Sequence, residues 1–451
     1  MTTGVSYQTS VGQHITARAF TPASGPETLR TSHDNADAAT TRQIGALIAL
    51  LAATTILSQF FRSALAVIAP ELIHDLALSP SLLGWANGGF FAALLLAQVA
   101  VGVAFDKIGP RRTVGALSIL MTLGATLHAA ADTGPMLIAA RIVTGAGCSA
   151  SFMAALVLVS AWLPESRWST GLSWVFGSSQ IGILLAGAPL AIVTEIAGWR
   201  MAFLGAAAVS ALVGLLFFVL VTDTPPAAIA TRRALPEQPG TIEGVRQILA
   251  INGILPVFAL FGVAYASVAT VSGLWAGPYL KDMFGMDATA RGLVLTAMAA
   301  LQMISILIVG PLDRYFNTRK WLIATGASAT LVVLSALALI PSPPLWLAIG
   351  LFCVMNITTA YNSLLLAHMR GHFPNHLAGR GATTGNIAQL AGAAALPIAT
   401  GYIPGLVGAV GNGYAPEAYR LIFATLAATL AIGLAIYLRW SSDIRPLARG
   451  Q

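Results

Sequence analysis

What this chain has least of is charge. Asp, Glu, Lys and Arg make up 9% of its 451 residues, against 56% that are apolar, where a water-soluble domain carries about 25% charged residues. That shortage excludes water as the main solvent, and a mean hydropathy of +0.77 agrees. Cysteine is scarce too. Cys148 and Cys353 lie far apart within apolar runs, which excludes a disulfide framework and a CxxC metal site. Acidic groups are missing from the middle of every apolar run: Glu71, Asp75, Glu195, Asp106 and Asp313 stand only near run ends. The net charge of +7 would suit nucleic acid only if the bases formed a stripe with interleaved aromatics. They fall between apolar runs instead, so no nucleic-acid partner is expected. No nucleophile elbow and no HExxH string occur, and neither an enzymatic activity nor a cofactor is expected. His368, His372 and His376 have metal-ligand spacing, but Pro374 interrupts the helix and no Cys or carboxylate joins them, so no metal is expected.

What is present is apolar sequence in long pieces. Crossing the hydrocarbon of a bilayer takes roughly 20 helical residues, and twelve runs qualify: 44–69, 82–104, 113–131, 136–162, 170–193, 201–221, 250–279, 291–311, 321–341, 344–368, 381–403 and 419–439. The fold expected is an all-α membrane protein with twelve transmembrane helices in two six-helix bundles. The bundles cover 42–221 and 249–440, joined by a polar cytoplasmic linker at 222–248. A disordered cytoplasmic tail, 1–41, precedes them and a short one, 441–451, follows.

The halves repeat each other. "GVAFDKIGPRRTV" after the second run answers "GPLDRYFNTRKWL" after the eighth, with Asp106 and Asp313 offset by 207. Pro164 and Pro374 are offset by 210, Pro70 and Pro278 by 208. Duplicated six-helix halves are a carrier architecture. With both termini inside, inner segments hold 18 of the 24 Lys and Arg, and outer segments hold four: Arg200, Lys281, Arg291 and Arg420. Cytoplasmic loops collect bases, so both termini are expected in the cytoplasm of a cell whose inner membrane the chain spans.

Arg62 is the residue least at home in this composition. It lies inside the first run, cannot shed its proton, and costs roughly 2.5–3.5 kcal/mol at a bilayer centre. Thr55, Ser58, Gln59 and Arg62 follow at i, i+3, i+4 and i+7, one polar stripe. Asn87 and Gln98 share a weaker stripe on the second run. The tenth offers Asn356, Thr359 and Ser363, the eleventh Thr383, Asn386 and Gln389, and Gln180 and Gln302 are isolated amides. Such groups inside a membrane must be satisfied by another helix or by water.

"GVAFDKIGPRR", with Gly102, Asp106, Lys107, Gly109, Arg111 and Arg112, resembles the loop signature of the major facilitator superfamily. "RIVTGAG", carrying Arg141, Gly145 and Gly147, resembles its helix-four signature, and "GWRMAFL" the usual start of helix six. The resemblance covers about 42–440 and implies transport by alternating access. It implies a gating role for Asp106, Lys107, Arg111 and Arg112, in which they clamp the halves together on the cytoplasmic side and part during alternating access. Asp313 and Arg314 repeat the motif, but Asn317 and Thr318 stand near where a glycine belongs. Arg141 is placed with the gate, a structural contact to carbonyls or neighbouring helices being the alternative.

"FFRSALAVIAP" resembles helix one of the anion:cation symporters and the organophosphate:phosphate antiporters, where an arginine meets an anionic substrate. Phe61 stands where the symporters often carry an acid. Thr270, eight residues before Pro278 as Arg62 is before Pro70, stands where the antiporters carry a second arginine. One guanidinium fork suits a carboxylate or sulfonate better than a phosphate dianion. Arg62, Gln59, Asn87, Gln98, Thr270, Asn356 and Asn386 are therefore the expected substrate-binding residues. The function expected is secondary active transport of a small carboxylate-like anion by a monomeric symporter in the lipid bilayer. Proton or sodium is the coupling ion considered, with Glu71 or Asp75 as possible proton carriers. "GILLAGAPLAIV" departs from the exporter-type signature of span five, which favours uptake. Efflux, or import of a neutral aromatic or vitamin-like nutrient facing Trp85, Trp174 or Trp275, is the alternative.

Overall fold

Prolines and hydroxyl caps set where the helices begin. Ser79 accepts a hydrogen bond from Leu82 N at 3.3 Å and Pro80 opens a helix; Thr133 caps another, and Pro110 and Pro416 open two more. A first-turn proline loses no intrahelical bond, because that N–H would be unpaired anyway. The computed structural model describes residues 26–223, 246–251, 253–373, 378–410 and 413–444. Apart from turns and a hairpin of two short strands, β1 (Ala409–Val410) and β2 (Gly413–Tyr414), these residues are helical.

The helices are α1 (Pro26–Leu76), α2 (Pro80–Ile108), α3 (Pro110–Ala129), α4 (Gly134–Trp162), α5 (Glu165–Leu185) and α6 (Ala188–Leu220) in the first half. The second half has α7 (Ile254–Phe284), α8 (Ala288–Tyr315), α9 (Lys320–Leu339), α10 (Leu345–Gly371), α11 (Ala378–Gly401) and α12 (Pro416–Trp440). Ten helical stretches are long and apolar enough to cross a membrane. One of them, Ser166–Leu220, is broken at Gly198 (φ 82, ψ 156) and supplies two crossings. The twelfth crossing, α3, falls short on composition, since it carries Arg111, Arg112 and several hydroxyl residues, yet it packs between α4 and α6 with Thr113, Ser118 and His128 buried.

The chain divides into two units, Met1–Gly45 and Ala46–Gln451, and the functional residues all belong to the second. Of the tail expected to be irregular, residues from Pro26 onward are helical; residues 1–25 lie outside the described residues. So do 224–245 of the linker, Pro374 and residues 445–451.

Two seams join the bundles. α2 packs on α11, and α8 packs on α5 and the first turns of α6. The repeat equates α2 with α8 and α5 with α11, so each seam is the copy of the other. The loops repeat as well. Gly109 turns from α2 to α3 at φ 84, and Asn317, 208 residues on, makes the matching turn at φ 49. Asparagine enters the left-handed region more readily than other non-glycine residues, so the second copy keeps the turn without the glycine. Asp223, just past α6, accepts from Arg111 N at 2.6 Å. Asp443, just past α12, accepts from Arg319 N at 3.1 Å, Lys320 N at 3.0 Å and the Thr318 hydroxyl at 2.6 Å. In each bundle the sixth helix thus supplies a carboxylate to the start of the third, where unpaired N–H groups favour negative charge.

Candidate functional site: a cavity between the bundles

A cavity of about 190 Å³ lies where α1, α2 and α5 face α7, α8 and α10. On the first bundle its walls carry Gln59, Arg62, Ser63, Phe91 and Gln180; on the second they carry Tyr265, Ser272, Gln302, Asn356, Thr359, Asn362 and Ser363. The polar stripe of α1 divides as a helix in contact on two sides must. Thr55 and Ser58 are buried, with Thr55 Oγ1 3.4 Å from the Val175 carbonyl of α5, while Gln59 and Arg62 point into the cavity.

Arg62 makes no hydrogen bond and no ion pair among the described residues, and its Nε is buried without a partner. Its guanidinium carbon sits 5.4 Å from the Phe152 ring centroid and 6.0 Å from that of Phe91. Cation–π contacts offset about 0.5–2 kcal/mol each, less than the several kcal/mol that dehydrating an ion costs. The remainder falls to whatever fills the cavity, water or an anion.

The amides on the far wall are neutral and partly engaged. Asn356 Nδ2 donates to Phe352 O at 2.9 Å and to Ser272 Oγ at 3.4 Å. Gln302 Nε2 donates to Thr359 Oγ1 at 3.4 Å. Among the described lining residues, Arg62 is the single charged one.

Of the seven expected binding residues, Gln59, Arg62 and Asn356 line the cavity. Asn87 is buried beside it, both side-chain polar atoms unpartnered, 4.0 Å from where a Cβ on Gly273 would sit. Gln98 and Asn386 bond to each other at 3.0 Å across the α2–α11 seam and do not face the cavity. Thr270 is corrected to Ser272. Residues Val271–Trp275 form a π-turn in α7, and counting eight residues back from Pro278 crosses it. The π-turn's different pitch rotates the wall, so Ser272 and Gly273 face the cavity while Thr270 is buried with its hydroxyl unpaired. Ser63, Tyr265, Ser272 and Asn362 are not among the residues singled out from sequence; Ser63 and Asn362 each lie one residue from a position that is (Arg62 and Ser363), Ser272 lies two from Thr270, and a helical-wheel count could reach Ser63.

The residues of the expected cytoplasmic clamp do not meet across the bundles in this arrangement, which is closed on the opposite face. Arg111 Nε donates to Phe218 O at 2.6 Å and its guanidinium lies 4.9 Å from the Phe218 ring, within its own bundle. Asp106, Lys107 and Arg112 are exposed. Asp313 is buried and pairs with Arg319 at 2.9 Å, not with Arg314, which is exposed. Asp223 and Asp443 already hold the starts of α3 and α9, so these basic loops close on their own bundles. For Arg141, placed with the gate with a structural contact to carbonyls as the alternative, the structure shows the carbonyl contacts. Fully buried, it donates to Phe61 O at 2.6 Å and Ala86 O at 3.3 Å and lies 4.4 Å from the Phe90 ring. It ties α4 to α1 and α2 from within.

On the face away from those basic loops the bundles are sewn together. Trp85 Nε1 donates to Tyr402 OH at 2.9 Å, Ala188 N to Thr296 Oγ1 at 2.7 Å, Thr289 to Glu195, and Arg291 to Glu71. A Cβ on Gly277 of α7 would collide with the Ala66 carbonyl of α1. None of Trp85, Trp174 and Trp275 lines the cavity. Trp174 is exposed, and Trp275 is buried with its Nε1 3.0 Å from Thr400 Oγ1. His368 bonds to Tyr437 OH at 2.8 Å and Ser442 O at 2.9 Å, and no cluster of three metal-ligating side chains occurs among the described residues.

A cavity on the pseudo-twofold between two six-helix bundles is a carrier's geometry, and the family model agrees: the Major Facilitator Superfamily model matches residues 51–397. The chain belongs to the Major Facilitator Superfamily. It is therefore a multi-pass membrane transporter and not an enzyme. An Agrobacterium vitis protein named for tartrate transport is 24% identical over 314 residues, 60% of this chain and 71% of that protein. A protein of Mycolicibacterium smegmatis named an MFS-type efflux pump is 29% identical over 318 residues, 67% of this chain and 70% of that one. Among solved structures, a bacterial homologue of the human lysosomal transporter Spinster superposes with a TM-score of 0.73 at 17% identity, covering 88% of this chain and 96% of that one. The superfamily carries cargoes of many kinds, so cargo and direction have to be argued from the cavity.

Proposed function

We propose that this chain is a secondary active carrier that takes up a small organic monoanion, a carboxylate or sulfonate, across the cell inner membrane, with Arg62 as the group that receives it. One observation carries the reading: a permanently charged guanidinium faces the inter-bundle cavity with no anionic or carbonyl partner. A site with one fixed positive charge and neutral hydrogen-bonding walls is complementary to a single negative charge with a short polar tail. A dianion would meet half the charge it needs. Size points the same way. About 190 Å³ is room for roughly six waters at liquid density, below the roughly 300 Å³ at which drug-sized pockets begin. That favours a compact nutrient anion over a multidrug cargo, and the tryptophans of the neutral aromatic alternative are elsewhere. The tartrate-named relative shares the carboxylate chemistry but not the single charge, since tartrate is a dianion at neutral pH.

The basic loops support the orientation: Arg111, Arg112, Arg319 and Lys320 lie on one face, and the positive-inside rule favours that face as the cytoplasmic one. The sewn face is then the outer one, and the protein works as a monomer with proton or sodium as the coupling ion. Uptake of radiolabelled small carboxylates into proteoliposomes tests the reading. The parental chain should accumulate cargo and Arg62→Ala at matched expression should not. An Ala variant moving carboxylate at the parental rate ends the anion argument.

A further inference from the structure

Five ion pairs occur among the described residues, and four of them stay inside one bundle: His74–Asp75, Arg200–Asp75, Arg200–Asp132 and Arg319–Asp313. The fifth, Glu71–Arg291, joins α1 to α8 and so crosses between the bundles. It is also the most deeply placed of the five on its cationic side. The Arg291 side chain is 0% exposed and that of Glu71 26%. Arg291 Nη1 donates to Met286 O at 2.9 Å, and Nη2 reaches both the Glu71 carboxylate and, at 3.5 Å, the Val67 carbonyl. Two of its three acceptors therefore belong to α1. Val67 itself lines the cavity, and Glu71 follows it one turn later on α1.

We propose that Glu71 and Arg291 are positioning residues of the transport cycle: a latch that holds the two bundles closed on the face opposite the basic loops. The proposal rests on the carrier function alone and not on the choice of cargo. The bundles cannot part at this face without drawing α8 from α1, and that motion strips Arg291 of Glu71 and Val67 O together. A guanidinium so deprived stays out of water only at high cost, so the latch resists opening until water can enter. No neighbouring charge replaces Glu71. On α1, Asp75 is held by Trp199 and Arg200, and His74 by Asp75. On α7, Asp282 accepts from Tyr414 N and Tyr419 OH, and Lys281 is exposed. On α8, Asp287 caps its own helix through Ala290 N, and Glu195 of α6 accepts from Thr289. Glu71 Oε2, buried and unpartnered, has no second donor to fall back on either.

The latch makes an ordered prediction. Glu71→Gln leaves Arg291 without its counterion in the closed arrangement, so the open one gains most. Glu71→Gln with Arg291→Gln removes the attraction but leaves no orphan charge, so the open arrangement gains less. Glu71→Arg with Arg291→Glu restores the pair. Nitroxide labels replacing the exposed His74 and Lys281, on α1 and α7, report the separation by pulsed electron resonance on the full-length protein in nanodiscs. Glu71→Gln should raise the long-to-short population ratio about tenfold, the double glutamine variant by a smaller factor, and the charge swap should return it to the parental value. Melting followed by circular dichroism identifies any variant that fails to fold; the double glutamine variant, with no buried orphan charge, then decides. Parental distances in the folded glutamine variants, or a charge swap as open as Glu71→Gln, overturn the latch. Arg62→Ala should leave these distances unchanged, so failure of the cargo reading and failure of the latch are told apart.

Discussion

Two guanidiniums lie deep in the first bundle, and their surroundings give them opposite jobs. Arg141 gives Nε and Nη1 to the Ala86 and Phe61 carbonyls, while Arg62, one residue along α1 from Phe61, has aromatic rings beside it and faces the cavity. Charged hydrogen bonds contribute about 1.5–3 kcal/mol each, so Arg141→Met is expected to lower the melting temperature in detergent. Anion affinity per folded molecule should change by no more than about twofold, measured by calorimetry on the surviving fraction. Arg62→Lys should do the reverse: melting unchanged, carboxylate affinity down by about tenfold or more, because an ammonium cannot offer the parallel pair of N–H donors. Arg62 was legible in the sequence because its i, i+3, i+4, i+7 companions mark a face. For Arg141 the sequence leaves gate and carbonyl contact both open, because its acceptors are backbone carbonyls of other helices, which carry no sequence signal.

Elements show where residue counting fails. Helical periodicity puts Asn356 and Gln59 on faces that line the cavity, but the π-turn Val271–Trp275 moves the cavity position of α7 from Thr270 to Ser272. Nothing in "TVSGLW" announces a change of pitch. Gln98 and Asn386 are expected at the cargo site, with bonding to another helix as the alternative for any amide in a span; they have each other, a pairing visible only once α2 and α11 are neighbours. Close approach gives an element-scale prediction: Gly277→Ala puts a methyl against the Ala66 carbonyl where α7 meets α1. Closure of that face should be hindered and uptake slowed at least about tenfold, with carboxylate binding to the purified protein retained. The caps give another. Burial pushes the Asp443 carboxyl up, but hydrogen bonds from Thr318, Lys320 N and Arg319 N outweigh it and hold the group below the ordinary aspartate value. A carboxyl lowered in the folded state stabilises above its unfolded value and loses that contribution as pH falls through the folded one. Below about pH 4 the melting temperature of the parent should therefore fall more steeply than that of Asp443→Asn, as thermal melts across a pH series would show.

At the scale of the whole molecule, duplication was the clearest message in the sequence. The offsets of Asp106 to Asp313 and Pro70 to Pro278 gave two six-helix halves, and the structure extends the repeat to Gly109 and Asn317, to Asp223 and Asp443, and to the two seams. The arrangement of the halves was not legible. Charges in "FDKIGPRR" suggest a clamp between bundles; in this arrangement the bundles meet on the other face, and the ion pair that joins them among the described residues is Glu71–Arg291. Which face is closed depends on the relative tilt of two rigid bodies, and local pattern does not encode a tilt. What the duplication leaves unequal is the cavity: Arg62 in one half, hydroxyls and amides in the other. That inequality is the central claim, and equilibrium binding tests it most directly. Purified protein should gain melting temperature in the presence of small carboxylates or sulfonates, gain little from phosphate or neutral nutrients of similar size, and lose the carboxylate response in Arg62→Ala. Equal stabilisation of the parent and of Arg62→Ala by the same carboxylate would contradict it.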